Sequence, residues 1–571
     1  MKKNYFFRMC SLALLLLSLF KLNAQQWEGL SVYSLSGGTT ACLMDTNGTV
    51  VKTWTLNSPT RYSQYLLPGG TLIRTAGTGF SITPTHGGMY TRVQKIDFNG
   101  NLLWDWSLNT PTYCLHHDIA PMPNGNVLVT VAVKISPTDY TLAGGTTNTA
   151  STGYLSEEVW EVEPIGTNSV NVVWKWKMWD HLVQNLYPAQ ANYQPSIVTH
   201  PELININYNV QADLMHMNGI DYNPVLDQIA LSSRYKDEIY IIDHSTTIAE
   251  AASHSGGKAG KGGDILYRWG NPAAYQAVGP KILDAPHDSH WVPEGGKDAG
   301  MFVGLNISGV TTPSARTCVD KVYTPRVNYT YTINIGSAFT PTQVSKRYMS
   351  PVQIAGYSNS VQFRNGNMQM CFTTGNIWEV DTNGTTIFTK YIGPGFSPQS
   401  HRYPTCYVMN PPSPQPSVTI SGPIIMTGTA PQYQWYMNGN AIPTATNQFY
   451  FPQSNGYYMV RVMDANNCEW LYSSTIYFTM PPPPPPPTAI QNISKELSQL
   501  MIYPNPTNGY LNIDLPGMEK YTVLIHNLSG ELVLKSENEP KFDLSALSEG
   551  LYLCKVQTTS GSITRKITVI K

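Results

Sequence analysis

Asp97-Phe98-Asn99-Gly100-Asn101-Leu102-Leu103-Trp104-Asp105-Trp106 couples an acidic Asn-Gly turn to a strand rich in tryptophan. Asn-Gly between apolar runs is a strong hairpin signal, because a tight turn needs positive φ and these two residues tolerate it. The phrase returns as Asp45-Thr46-Asn47-Gly48-Thr49-Val50-Val51 and as Asp381-Thr382-Asn383-Gly384-Thr385-Thr386-Ile387. A second phrase alternates with it: Leu67-Pro68-Gly69-Gly70-Thr71-Leu72-Ile73, Met122-Pro123-Asn124-Gly125-Asn126-Val127-Leu128-Val129 and Phe363-Arg364-Asn365-Gly366-Asn367-Met368-Gln369-Met370. Val172 to Trp176 and Asp264 to Gly270 read as degenerate copies. Hairpins repeated at intervals of roughly 50 residues or more, with long loops inserted towards the middle, predict a β-propeller. A stack of β-sandwiches is the alternative reading of the same local pattern.

At 571 residues the chain is too long for one ordinary core, so several domains are expected. Abundant Gly and Pro, frequent Tyr, and few amphipathic helical runs predict an all-β class. A net charge of −1 gives no electrostatic case for nucleic acid. Lys2, Lys3 and Arg8, then the apolar run Ser11 to Phe20, then Leu22-Asn23-Ala24, predict a signal peptide over 1–24. Its apolar stretch is too short to span a bilayer, and no cysteine follows it closely, so an exported, soluble mature chain is expected. Removing that segment leaves Cys42, Cys114, Cys318, Cys371, Cys406, Cys468 and Cys554. Disulfides are expected in an oxidising compartment, with at least one thiol left over or intermolecular. No CxxC pair occurs, which argues against a cysteine zinc site.

After the propeller region, 25–410, the register changes. Pro411-Pro412-Ser413-Pro414 is a stiff linker, and Tyr433 to Gly439 followed by Gly456 to Val462 resembles an immunoglobulin-like β-sandwich over 411–480, without its usual cysteine pair. Pro481 to Pro487 open a proline-rich linker, 481–494, a polyproline spacer about 20 Å long. A small β-sandwich follows over 495–571. Its opening Tyr503-Pro504-Asn505-Pro506, its Gly530-Glu531-Leu532-Val533 hairpin and its Gly550-Leu551-Tyr552 strand resemble the sorting tail of type IX secretion. That resemblance implies the type IX secretion machinery as a partner, a secreted or outer-membrane surface location, and a tail that is often removed.

The chain has 12 histidines. His86, His181, His200, His244, His254, His401 and His526 read as structural or surface residues. Four stations differ, because each adjoins an element that would form an inner propeller strand: His117, His216, Arg234 at the end of Gln228 to Ser233, and His287 before Trp291. Inner strands of successive blades line one channel, where residues distant in sequence meet. Imidazoles and a guanidinium without clustered carboxylates suit a tetrahedral oxyanion, since arginine binds such oxygens in a fork and a neutral imidazole is a nucleophile near pH 7. A metal site from His116, His117 and Asp118, or from His287, Asp288 and His290, is the rival.

His116-His117-Asp118 with Met122 to Asn126, then His216 with Asn218-Gly219-Ile220-Asp221-Tyr222-Asn223-Pro224, then Leu231 to Arg234, Tyr267 to Pro272, and His287 to Trp291 resemble the bacterial arylsulfate sulfotransferases in order. The resemblance spans about residues 30 to 410. It implies a six-bladed β-propeller that moves a sulfuryl group from a phenolic sulfate ester to a phenol acceptor by a ping-pong mechanism through a sulfohistidine, with no cofactor and no nucleotide donor. On that resemblance His287 is the nucleophile, His216 and Arg234 hold the sulfuryl group, and His117 is the first histidine station. His116, His290 and Asn218 are expected to help bind substrate. His116 could exchange roles with His117, and His290 with His287. The alternatives are a non-catalytic surface propeller that binds glycan or protein, and a metal-dependent sulfatase-like hydrolase.

Overall fold

The structure is a computed structural model that describes residues 25–146, 150–310, 315–354, 356, 358–393, 399–481, 497–517, 520–559 and 561–571. The expected signal peptide, 1–24, and nearly all of the expected proline-rich linker, 481–494, lie outside the described residues. The fold is all-β, and two compact units divide at residue 480.

In the first unit, six antiparallel sheets of four or five strands follow one another among the described residues between 30 and 403. Their first full strands are Thr60–Leu67, Tyr113–Pro121 (with the two-residue Met89–Tyr90 paired outside it), Met217–Asn223, Pro286–Trp291 and Asn359–Gln362. The remaining sheet is composite: Ser400–Tyr403, from the far end of the segment, pairs with Leu30–Ser34, His401 lying opposite Val32. Both repeated phrases become hairpin turns. Leu67 to Thr71 and Pro121 to Val127 join first strands to second ones, whereas the Asp45, Asp97 and Asp381 turns lead into the fourth. In Leu102–Ser107 the side chains alternate, so Trp104 and Trp106 are buried while Leu103 is exposed.

Side chains on these first strands reach the backbone of the next sheet all the way round. Ser63 donates to Asp118 (2.6 Å), the Asp118 carboxylate accepts from the Ile220 N–H (3.5 Å), Asp221 from Trp291 (2.9 Å) and Asp288 from Ser360 (2.8 Å). Asn359 accepts from the Ser400 N–H (2.9 Å), and the Gln64 amide donates to the Gln399 carbonyl (3.2 Å). These contacts run from sheet to sheet and return to the composite one.

Residues 419–478 carry two small sheets around the fully buried Trp435, with Ile425, Tyr458 and Val460 packed beside it. A Cys406–Cys468 disulfide ties this module to the segment before it, and Glu294 meets Tyr436 (3.2 Å) and Arg461 (3.4 Å). Between them lies a cavity of about 440 Å³, lined by the C-terminal ends of the first strands (Pro121, Asn223, Trp291, Gln362, Tyr403) and by Trp470 and Tyr472. The second unit holds two sheets around Leu511, Val523, Ile525, Phe542, Cys554 and Ile567.

Candidate active site

At the other ends of the same strands, the backbone is kinked three times in the same place. His117, His216 and Asp288 have φ of 49°, 52° and 48°, and Ala285 has 52°. Each kink coincides with a slip in pairing: between Val129 and Val131, between Met217 and Gly219, and between His287 and His290. A side chain in the left-handed region costs roughly 1 kcal/mol or more, and a bulge re-aims the residues around it. The three neighbouring sheets thus turn histidines towards one another.

Gly219 sets how closely two of these strands approach. A Cβ there would fall 2.9 Å from Cα and N of Asp288 and 2.7 Å from the Ser232 hydroxyl, so any side chain would separate His216 from His287. Asn218 fastens the same junction, donating to the Pro286 carbonyl (2.9 Å) and accepting from Ser232 (2.7 Å).

Four imidazoles form a nest. The His117 ring lies 4.5 Å from that of His216, 5.2 Å from His86 and 5.4 Å from His116. Behind His117, Nδ1 of His116 is 3.1 Å from Nδ1 of His117, and Nε2 of His116 is 2.6 Å from the Glu157 carboxyl. The His216 Nδ1 is 2.6 Å from Asp213 Oδ2, while Asp213 Oδ1 accepts the His216 N–H (3.0 Å). Gly88 forms the floor: a Cβ there would lie 1.9 Å from Cε1 of His117.

Arg234 leaves the strand Gln228–Ser233 with its N–H bonded to the His216 carbonyl (3.1 Å). A Cβ on Gly356 would sit 3.8 Å from both Nη1 of Arg234 and Nε2 of His287, so the two groups face the same bare backbone. The other nitrogen of His287, Nδ1, lies 3.1 Å from the Ala285 carbonyl. A carbonyl only accepts, so Nδ1 carries the proton and Nε2 the lone pair.

Burial, helped by the nearby Arg234, lowers His287 to about 3. Burial likewise lowers His86 and His116 to about 3 and takes His117 well below the usual imidazole range, with His216 adding to the effect. Burial and then Asp213 push the Glu157 carboxyl well up. Burial opposes ionisation of Asp213, but His86 and the hydrogen bond from His216 outweigh it and hold that carboxyl down. His86, His116, His117 and His287 are therefore neutral imidazoles beside a guanidinium.

His117, His216, Arg234 and His287, expected to converge, do come together. His116 sits behind His117 with no exposed surface and contacts Glu157. Asn218 spends its amide on Pro286 and Ser232. His290 is not part of the nest: its Nδ1 turns to the Asp288 carbonyl (2.9 Å), and with burial it lowers His401 to about 3. His86, expected to be structural or on the surface, is instead a member of the nest, brought there by tertiary packing, and Asp213 and Glu157 were not anticipated from the sequence. The available signals were His86 directly before Gly87-Gly88 and an aspartate three residues before His216. The donor sets His86, His116, His117 and His86, Asp213, His216 are close enough to hold a cation, and they differ from the sets expected from the sequence, His116, His117, Asp118 and His287, Asp288, His290.

No curated protein matches the chain. Similar solved structures include dihydro-heme d1 dehydrogenase NirN (10% identity, 91% of this chain and 75% of that one, TM-score 0.27). The Dos1 propeller also matches (10% identity, 79% and 85%, TM-score 0.27), as does BBS1N in complex with ARL6DN (9%, 66% and 84%, TM-score 0.30). The family comparisons are more direct, although His287 lies beyond the end of the first. Residues 28–255, which include His117, His216 and Arg234, match the model of the arylsulfotransferase (ASST) family, and residues 501–571 match that of the secretion system C-terminal sorting domain, so this chain is similar to arylsulfotransferases over the first segment and to type IX sorting domains over the last.

Proposed function

We propose that the protein is an exported, nucleotide-independent aryl-sulfate sulfotransferase that works by ping-pong through His287. We read the six sheets as blades of a propeller over 25–410, closed by Ser400–Tyr403 on Leu30–Ser34, with an immunoglobulin-like module over 411–480 and a sorting domain from 495. The observation that carries the reading is the convergence of His117, His216, Arg234 and His287, from three sheets, around one space bounded by Gly356.

In the first half-reaction, Nε2 of His287 attacks sulfur as the bond from sulfur to the aryl oxygen breaks. Arg234 binds the sulfuryl oxygens in a bidentate fork, and His216, held in place by Asp213, lies against the same group. The departing phenolate takes the proton from Nε2 of His117 as His116 passes its Nδ1 proton to Nδ1 of His117 and a protonated Glu157 passes its own to Nε2 of His116, so the relay ends on the Glu157 carboxylate. The sulfated His287 ring gains positive charge, which the Ala285 carbonyl at Nδ1 stabilises. The acceptor phenol then loses its proton to His117 and attacks sulfur, restoring His287. Tyr235, 4.9 Å from the His216 ring, and Tyr62, 5.8 Å from that of His117, offer faces on which an aryl group can stack.

Incubation of the purified protein with 4-nitrophenyl sulfate and phenol tests this. Steady 4-nitrophenol release that requires the acceptor, together with phenyl sulfate formation, supports transfer. Acceptor-independent release means a sulfatase, loss on chelation means the metal reading suggested by His86 and its neighbours, and no turnover leaves a binding surface.

A further inference from the structure

A second histidine cluster lies apart from the nest, between the third and fourth sheets. His181 ends the short 3-10 turn after the strand Ser169–Lys177, Asp264 precedes the strand Ile265–Trp269, and His254 sits on the glycine-rich loop between the helix Ile248–Ala251 and Asp264. Nδ1 of His181 lies 2.9 Å from Asp264 Oδ1, and Nδ1 of His254 lies 2.7 Å from the same oxygen. Nε2 of His181 lies 2.8 Å from the Ala251 carbonyl.

The hydrogen-bond roles do not balance for a neutral His181. The Ala251 carbonyl can only accept, so Nε2 must carry the ring proton, and Nδ1 then presents a lone pair to a carboxylate oxygen at 2.9 Å. A cation has to lie between them. It is either a proton shared by Nδ1 and the carboxyl, or a metal ion.

We infer that His181, His254 and Asp264 form a site for a borderline divalent ion of the Zn²⁺ type, clamping the glycine-rich loop to the third sheet. Two imidazole nitrogens and one carboxylate oxygen are ligands that zinc accepts, with a fourth position left for water. Pinning the remote nitrogen of a ligating histidine to a backbone carbonyl is the usual way its tautomer and orientation are held. His181 is fixed further by stacking on Trp176, 5.7 Å away and within 4° of parallel. Gly263 leaves room for that geometry, since a Cβ there would fall 2.0 Å from the Ala251 oxygen and 2.6 Å from Nε2 of His181. Tetrahedral ligands around zinc stand about 3.3 Å apart, so the nitrogens need to separate from the shared oxygen by roughly 0.5 Å. The His254 side chain is 63% exposed and can make that move.

The test uses the full-length protein stripped with chelator, titrated with ZnCl₂ by calorimetry and followed by thermal melting. His254→Ala is the variant, because its exposed side chain can be removed without unfolding the chain. The wild type is expected to bind one more equivalent of Zn²⁺ than His254→Ala, and to gain several degrees in Tm from that equivalent. Acceptor-dependent phenol release in metal-free buffer should be equal in the two. Equal stoichiometry and equal Tm shifts, or no binding at millimolar Zn²⁺, would overturn the site and leave a proton shared by His181 and Asp264. The comparison between the two proteins cancels any zinc taken up by the nest around His117.

Discussion

The Nδ1 of His287 is held 3.1 Å from the carbonyl oxygen of Ala285, which leaves Nε2 as the lone-pair nitrogen on the side of Arg234. Burial first, and Arg234 second, lower this ring to about 3, so it stays an unprotonated nucleophile far into acid. The acid limb of kcat/KM for aryl sulfate should therefore not follow a free imidazole near 6.5. A pH series should show the nucleophile still active at about pH 5, and an acid limb at 6.5 that shifts in His287 variants would contradict the burial argument.

Asp221 gives a pH dependence of stability with the opposite sign. Burial, with Asp118 adding to it, raises its carboxyl to about 7 although the Trp291 N–H pulls the other way. A raised carboxyl binds its proton in the folded state first, so its contribution is full below the unfolded value near 3.8 and is lost as pH rises through 7. Because the side chain is partly open to solvent, we expect about 1–2 kcal/mol rather than the full linkage. Asp221→Asn keeps an acceptor for Trp291 and should melt higher than the wild type at pH 8, with little difference at pH 4. A lower melting point at pH 8 would show that the carboxylate is needed ionised.

Gly88 should tolerate nothing larger. A Cβ 1.9 Å from Cε1 of His117 must displace the imidazole, because Gly88 also accepts the His117 N–H at its own carbonyl (2.6 Å). Gly88→Ala is expected to cost about 1–3 kcal/mol in stability and to lower kcat about 10²-fold through misplacement of the proton donor. Chemical denaturation and initial rates read the two effects separately.

The Glu157 relay makes a paired prediction. Gln offers a donor to Nε2 of His116 but no proton to release, so Glu157→Gln and Glu157→Ala should each lose about 10²-fold in kcat. A near-wild-type rate for Glu157→Gln would mean that the carboxyl only orients His116 and heads no proton chain.

Much of the framework was legible because turn chemistry is local. Asn99-Gly100 and Asn124-Gly125 announce their hairpins in a few residues, and the stations His117, His216, Arg234 and His287 could be picked out by their position beside such elements. The kinks were not legible, since His117 and His216 adopt positive φ without being glycine, and only strand pairing reveals the slip. That slip explains why His290, three residues from His287, faces a different neighbour, and why His116 serves as backing for His117. His86, Asp213 and Glu157 come from a loop, a turn and the third strand of the third sheet, so their meeting depends on tertiary contacts that no spacing encodes.

The central claim is that sulfur passes through His287. Mixing the protein with 4-nitrophenyl sulfate in the absence of acceptor, then quenching in alkali and mapping peptides by mass spectrometry, reads it directly. The account predicts a burst of 4-nitrophenol close to one equivalent per chain and a sulfuryl adduct on the peptide containing His287, both absent in His287→Asn and both discharged by phenol. No burst, an adduct on another residue, or undiminished transfer by His287→Asn would contradict it.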